Sequence, residues 1–167
     1  RFAQDHGALS PDAGEVAEAA RRALEPFERR GGENPFRIQE ELQHTMQELA
    51  GIVRREEELV RALDAIAALR ERTRRVGVTG NREYNPGWHT ALDLEPLLTV
   101  SEAIARAALE RRESRGGHFR DDSPASTPEG ATYNLVIRQG PDGGMQVERQ
   151  PVVGRTPALE ALVERYK

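Results

Sequence analysis

Residues Glu83 to Asp122 read EYNPGWHTALDLEPLLTVSEAIARAALERRESRGGHFRDD, and this stretch decides the fold. Asn85-Pro86 is a helix cap followed by a first-turn proline, whose missing N–H is no loss there. Trp88, Ala91, Leu94, Leu98, Ser101, Ala105 and Ala108 then recur at three- and four-residue steps. Leu97, Ile104 and Leu109 stand beside them. That spacing lines one face of a helix. Arg111-Arg112 and then Gly116-Gly117 give it a basic last turn and a glycine stop. From Pro86 to Glu113 the helix spans about 40 Å at a rise of about 1.5 Å per residue. No other periodic stretch is as long, so the other helices must pack on it. Pro96 lies inside the pattern and removes a backbone donor, which predicts a kink around Leu92–Pro96.

Upstream, three further helices are legible. Ser10-Pro11 reads as cap and first turn, followed by Val16, Ala20, Ala23, Leu24 and Phe27 at helical spacing. Pro26 predicts a stop or kink near Glu25. Asn34-Pro35 opens a second helix, with a core stripe of Ile38, Leu42, Met46, Leu49 and Val53. Gly51 predicts a bend over Gly51–Arg55. A third helix runs from about Glu56 to Arg75, with Leu59, Leu63, Ile66 and Ala67 expected inward. Glu57–Arg61 and Glu71–Arg75 are four apart in the favoured order, so each pair adds about 0.2–0.5 kcal/mol at a surface.

After Asp122 the composition changes. Ser123 to Gly130 is a linker rich in proline and serine. Tyr133–Arg138 and Met145–Arg149 alternate around the turn cluster Gly140-Pro141-Asp142-Gly143-Gly144, a hairpin pattern. A lone hairpin is marginal in water, so it must dock. Thr156-Pro157 caps a last short helix bearing Leu159, Leu162, Val163 and Tyr166. The expected fold is mainly α. Three long helices and a leading one form an antiparallel bundle over residues 1–122. Residues 123–167 add a linker, a small hairpin and a short helix.

Composition narrows the function. Formal net charge is −4, and 23 of the 24 bases are arginine. A nucleic-acid footprint needs clustered positive charge, which this balance argues against. The absence of cysteine excludes disulfides, thiol chemistry and cysteine-ligated clusters within these residues. No apolar run approaches a membrane span. Val, Ile, Leu and Phe make up 35 of 167 residues, a thin core suited to a domain leaning on a larger body. An arginine at position 1 reads as belonging to a fragment.

The polar residues give no catalytic constellation. His6, His44, His89 and His118 show no paired metal spacing. His6 and His44 read as surface residues, and His89 as capping or packing beside Trp88. Neither a G-x-S-x-G nucleophile motif nor a G-x-G-x-x-G dinucleotide turn occurs. Arg115, His118 and Arg120 form the sharpest cluster, just past a helix end where cations are favoured. Their guanidinium forks suit a carboxylate or phosphate ligand. They equally suit acids of the chain itself, such as Asp121 and Asp122, or a neighbouring domain.

YNPGWHTALDL followed by LTVSEAIARAALERRESRGGHFRDD resembles the C-terminal helical domain of succinate dehydrogenase and fumarate reductase flavoprotein subunits. The run Glu113-Ser114-Arg115-Gly116-Gly117-His118, with Arg120 and Asp122, is similar to the family's Glu-Ser-Arg-Gly-(Ala/Gly)-His-x-Arg-x-Asp signature. GGENPFRIQEELQHTM and GIVRREEEL look like the same family, so the match covers about Pro26 to Asp122. The resemblance implies that catalytic, cofactor and metal residues lie outside this chain. It implies FAD in the intact subunit, flavin and capping domains beside this one, and an iron–sulfur subunit as electron acceptor. It also implies a cytoplasmic protein held peripherally at the inner face of the plasma membrane, with no direct insertion. Arg115, His118, Arg120, Asp122 and Trp88 then become structural or interface residues. The C-terminal domain of L-aspartate oxidase shares the architecture and stays open as an alternative, as does a free-standing helical adaptor.

Overall fold

The computed structural model describes residues 10–166, so His6 lies outside the described residues. Its helices are α1 (Ala13–Leu24), α2 (Pro35–Leu49), α3 (Glu56–Thr73), α4 (Pro86–Glu110) and α5 (Pro157–Arg165). Short strands β1 (Val53–Arg54) and β2 (Phe119–Arg120) pair in parallel. Strands β3 (Tyr133–Gln139) and β4 (Met145–Pro151) form the hairpin. The mainly α architecture with a hairpin and a short last helix is the one that the periodicity predicts. Contacts divide the chain into two compact units, residues 10–45 with 65–99 and residues 46–64 with 100–166.

In the first unit, helix starts follow the caps. The Asn34 side chain accepts the Phe36 N–H at 2.9 Å, and that of Asn85 accepts the Trp88 N–H at 3.0 Å. The leading helix starts later than Ser10-Pro11 suggests. Asp12 is its cap and accepts the Glu15 N–H at 2.9 Å. A carboxylate there also meets the positive end of the helix dipole, an advantage that Ser10 lacks. Helix α1 stops at Leu24, and a 3-10 turn over Glu25–Phe27 accommodates buried Pro26. The indole N–H of Trp88 donates to the Ala23 carbonyl at 2.7 Å, and its ring lies 5.4 Å from that of Phe27. Trp88 thus pins the end of α1.

The same unit buries Ile38, Leu42, Ile66, Leu69, Val76, Leu94 and Leu98. Arg72 joins the end of α3 to the start of α2, donating from Nε to Glu33 at 2.9 Å and from Nη1 to Glu41. Glu33 pairs with Val76 in a parallel bridge. The two backbones run so close that a Cβ on Gly32 would fall 2.4 Å from the Gly77 nitrogen. Leu98 is 0% exposed. Leu98→Ala is expected to lower the unfolding free energy by about 2–5 kcal/mol in a urea titration. A loss within about 0.5 kcal/mol, as at a surface position, would contradict its core placement.

Helix α4 continues through Pro96, so the helix that the spacing predicts is present. Leu92, whose carbonyl loses its partner there, lies on an exposed turn where water can bond it. Other sequence expectations are corrected. Along α3 the buried line is Leu59, Ala62, Ile66 and Leu69, whereas Ala67 is exposed. Position 67 stands about 100° round the helix from Ile66. The α2 stripe ends before Val53, which is 54% exposed because the chain has already left the helix. Glu71 pairs with Arg74 at 3.0 Å rather than with Arg75.

The second unit has a core of small residues. Ala50, Leu59 and Ala108 form its centre, with Met46 and Leu109 packed against them and Ala62 and Ala105 also buried. The hairpin register runs from Tyr133 opposite Pro151 to Gln139 opposite Met145. Gly143 takes φ +82° in its turn, a conformation that favours glycine.

Candidate functional site

Residues 111–130 of the second unit hold its densest polar network. Glu113 is 2% exposed. It accepts from Arg111 Nη1 at 2.8 Å, Arg115 Nε at 2.9 Å, the Thr127 N–H at 2.7 Å and the Thr127 hydroxyl at 2.9 Å. The Arg115 bond first, then those from Thr127 and Arg111, hold its carboxyl well below the usual range. Arg111 continues to the carbonyls of Gly130 at 3.1 Å and Tyr133 at 3.2 Å. Arg111 and Arg149 each place a guanidinium carbon 4.8 Å from the Tyr133 ring centre. Through these bonds the hairpin docks onto the end of α4.

Arg120 is 1% exposed, the largest fully buried side chain described. Its fork grips Asp122, Nε to Oδ1 at 2.7 Å and Nη2 to Oδ2 at 2.7 Å. Its Nη1 donates to the Ala108 carbonyl at 3.0 Å, in the last turn of α4. Asp122 Oδ2 also accepts the Glu56 N–H at 2.7 Å, in the first turn of α3. One ion pair therefore satisfies a carbonyl at the end of one helix and an amide at the start of another. The signs match the helix dipoles, cation at the C-terminus and anion at the N-terminus. The Arg120 bond, opposed by desolvation and aided by Glu56 N–H, holds the Asp122 carboxyl low.

His118 sits between two arginines. Its Nε2 lies 3.1 Å from the Arg111 carbonyl, so Nε2 carries the proton. Its Nδ1 then accepts from Arg54 Nη1 at 2.9 Å. Burial chiefly lowers the imidazole pKa, and the charges of Arg54, Arg120 and Arg111 add to this against the opposing Arg111 carbonyl bond. The folded pKa thus lies below 6.5. Unfolded chains take up the proton first as pH falls. The His118 contribution to stability is complete above pH 6.5 and is lost as pH drops through the folded value. Between pH 7 and 5 the urea midpoint is expected to fall, and His118→Gln should show a shallower fall. Equal slopes in both proteins would refute the assignment.

Structure thus brings Arg115, His118, Arg120 and Asp122 into one loop system, while Trp88 belongs to the other unit. Arg115 bonds Glu113 and the Thr127 carbonyl rather than Asp121 or Asp122, and Asp121 pairs with Arg55. His44 is exposed. His89 is exposed beside Trp88, its ring centre 5.7 Å away. Sequence reasoning missed Glu113 as the centre of the network. Arginines two residues to either side were the available signal. Thr127, fourteen residues on, gave none.

A recess of about 410 Å³ opens beside this network, lined by Arg54, Ile104, Ala107, Arg111, His118 and Leu135, among others. Among the described residues no grouping of histidines and acids could hold a metal ion, and no helix is long and apolar enough to cross a membrane.

The helical order, the hairpin and this loop define a mainly helical domain with an appended hairpin. By its match to the model for the fumarate reductase flavoprotein C-terminus over residues 39–163, the chain belongs to that family. It is 33% identical to the fumarate reductase flavoprotein subunit of Mycobacterium tuberculosis over 137 residues, covering 81% of this chain and 24% of the relative. A succinate dehydrogenase flavoprotein subunit of Coxiella burnetii is 37% identical over 91 residues, 54% of this chain and 16% of that one. Among solved structures, Mycobacterium smegmatis Sdh1 in complex with UQ1 superposes with a TM-score of 0.85 at 39% identity, covering 94% of this chain and 28% of that one. The chain spans about a quarter of the length of the first curated relatives it matches. Those relatives are flavoprotein subunits. Three of the arginines in this region are taken up by the chain's own carboxylates. Arg111 and Arg115 are held by Glu113, and Arg120 by Asp122.

Proposed function

We propose that this chain is a non-catalytic helical support within a flavoprotein subunit that interconverts succinate and fumarate. One observation carries the reading: the loop's arginines are engaged by the chain's own carboxylates, so Arg120, Asp122 and His118 brace helix ends and Arg115 braces the loop instead of holding substrate. Trp88 braces α1 in the same sense. FAD belongs to the rest of the subunit, as do the flavin and capping domains against which this domain packs. An iron–sulfur subunit receives the electrons. The intact subunit is cytoplasmic and lies peripherally at the inner face of the plasma membrane. Within this chain we assign residues 1–122 to the bundle and 123–167 to an appended segment, on the change of composition after Asp122. Relatives named as fumarate reductase and succinate dehydrogenase subunits do not favour the aspartate oxidase or adaptor readings.

The purified chain is expected to show no flavin absorption band after incubation with FAD, and no succinate oxidation with an artificial electron acceptor. A yellow, succinate-oxidising chain would overturn the proposal. In an intact subunit, Arg115→Ala should reduce assembly and leave the substrate KM of the surviving enzyme unchanged. A raised KM with normal assembly would make Arg115 a ligand-binding residue.

A further inference from the structure

We propose that the recess in the second unit is a binding site for a carboxylate carrying a short apolar body, with Arg54 as the anion's partner. The argument begins with charge. Arg54 is only half-buried, and among the described residues its bonds run to neutral groups: Nε to the Ala50 and Gly51 carbonyls at 3.2 and 2.8 Å, and Nη1 to His118. Among the described residues no carboxylate pairs with it, although the other arginines around the recess are paired: Arg111 with Glu113 and Arg120 with Asp122. A guanidinium has five N–H donors. Among the described residues the groups bonding Arg54 engage Nε and Nη1, and none bonds Nη2. A guanidinium meets a carboxylate with parallel N–H bonds.

Geometry fixes the rest of the ligand. The carbonyls of Ala50 and Gly51 anchor the stem of Arg54 at the end of α2, and neutral His118 steadies one arm. Arg54 is therefore pre-positioned, which lowers the ordering cost of binding. Ile104, Ala107, Ala108 and Leu135 supply an apolar lining, and Ile104 is 43% exposed. At about 410 Å³ the recess falls in the size range of small-ligand pockets. One uncompensated cation beside an apolar wall selects a monocarboxylate with an alkyl body over sulfate, an amine or an alkane. The same chemistry is offered by a free short-chain acid and by a glutamate next to a leucine in a polypeptide.

The test uses the full 167-residue chain and two-dimensional NMR. Butyrate should bind saturably with Kd on the order of 1 mM, shifting the amides of Arg54, Ile104 and Leu135. Acetate should bind at least tenfold more weakly, and butylamine should leave these amides unmoved. A capped peptide with one glutamate beside a leucine separates the two sources. If it binds tenfold more tightly than butyrate, the carboxylate comes from a polypeptide, and the reverse order indicates a free acid. Ala107→Leu fills the recess at a helix-compatible position and leaves Arg54 in place. It should weaken butyrate binding at least tenfold with an unchanged circular dichroism spectrum, and Arg54→Gln should do the same. Binding that is unchanged in Ala107→Leu, or the absence of saturation for both butyrate and peptide, would overturn the site. The outcome is independent of the flavoprotein reading, which is tested by flavin and succinate.

Discussion

Arg120→Ala is expected to destabilise the chain by about 3–5 kcal/mol, the range for breaking a buried ion pair by removing one partner. Arg120 is 1% exposed and bonds both Asp122 and the Ala108 carbonyl. Its loss leaves the Ala108 carbonyl without its donor and frees Asp122 from the fork that orients it. Asp122 then no longer presents Oδ2 reliably to the Glu56 N–H, so two helix ends lose their partners together. Arg120→Lys keeps the charge but cannot span Asp122 and the carbonyl with a planar fork, so it should recover less than half of the loss. Asp122→Asn keeps the side-chain shape and one acceptor and should be milder than Arg120→Ala. Chemical denaturation with circular dichroism measures all three. Full recovery in Arg120→Lys would show that charge alone suffices and would discard the role given to the fork.

Gly130→Ala is expected to cost about 1–3 kcal/mol, as for overpacking in a filled interior. A Cβ at position 130 would fall 1.8 Å from Glu113 Oε1. A flexible carboxylate at a surface would swing away from such a clash. Glu113 cannot do so freely, because Arg111, Arg115 and Thr127 hold it from several directions. Displacing it breaks bonds on both sides of the loop and loosens Arg111, which also holds the Gly130 and Tyr133 carbonyls. The hairpin should undock before the helices melt. Amide hydrogen exchange is expected to accelerate over residues 127–151 and stay slow in the buried turns of α3. Uniform acceleration along the whole chain would contradict a local docking role, and unchanged exchange would show that the close approach is dispensable.

Much of this was legible in order along the chain. Asn34, Asn85 and Thr156 announced the starts of α2, α4 and α5 because a cap acts on its own next turn. The buried line Leu94, Leu98, Ser101, Ala105 and Ala108 followed from the 3.6-residue period. The hairpin followed from alternation around a glycine-rich turn. Where a local rule met a competitor it failed by a residue or two. Asp12 displaced Ser10 as a cap, and Arg74 displaced Arg75 as the partner of Glu71.

The candidate site was legible only as a list of residue types. The loop's arginines and acids stood out, but their pairing did not. Arg115 took Glu113 rather than the nearby aspartates, and β1 with β2 is too short for any alternation to register. Thr127 and Arg54 reach the network from 14 and 64 residues away, measured to Glu113 and His118 respectively.

Sequence alone determined the helices, the caps of α2, α4 and α5, the hairpin and the family, since each depends on neighbours within a few turns or on an ordered string of residues. Only the tertiary structure decided which arginine is buried, which carboxylate it grips and which cation is left facing an open recess. The physical reason is that burial and ion pairing depend on distances across space, and the chain encodes those distances only through the packing of its helices.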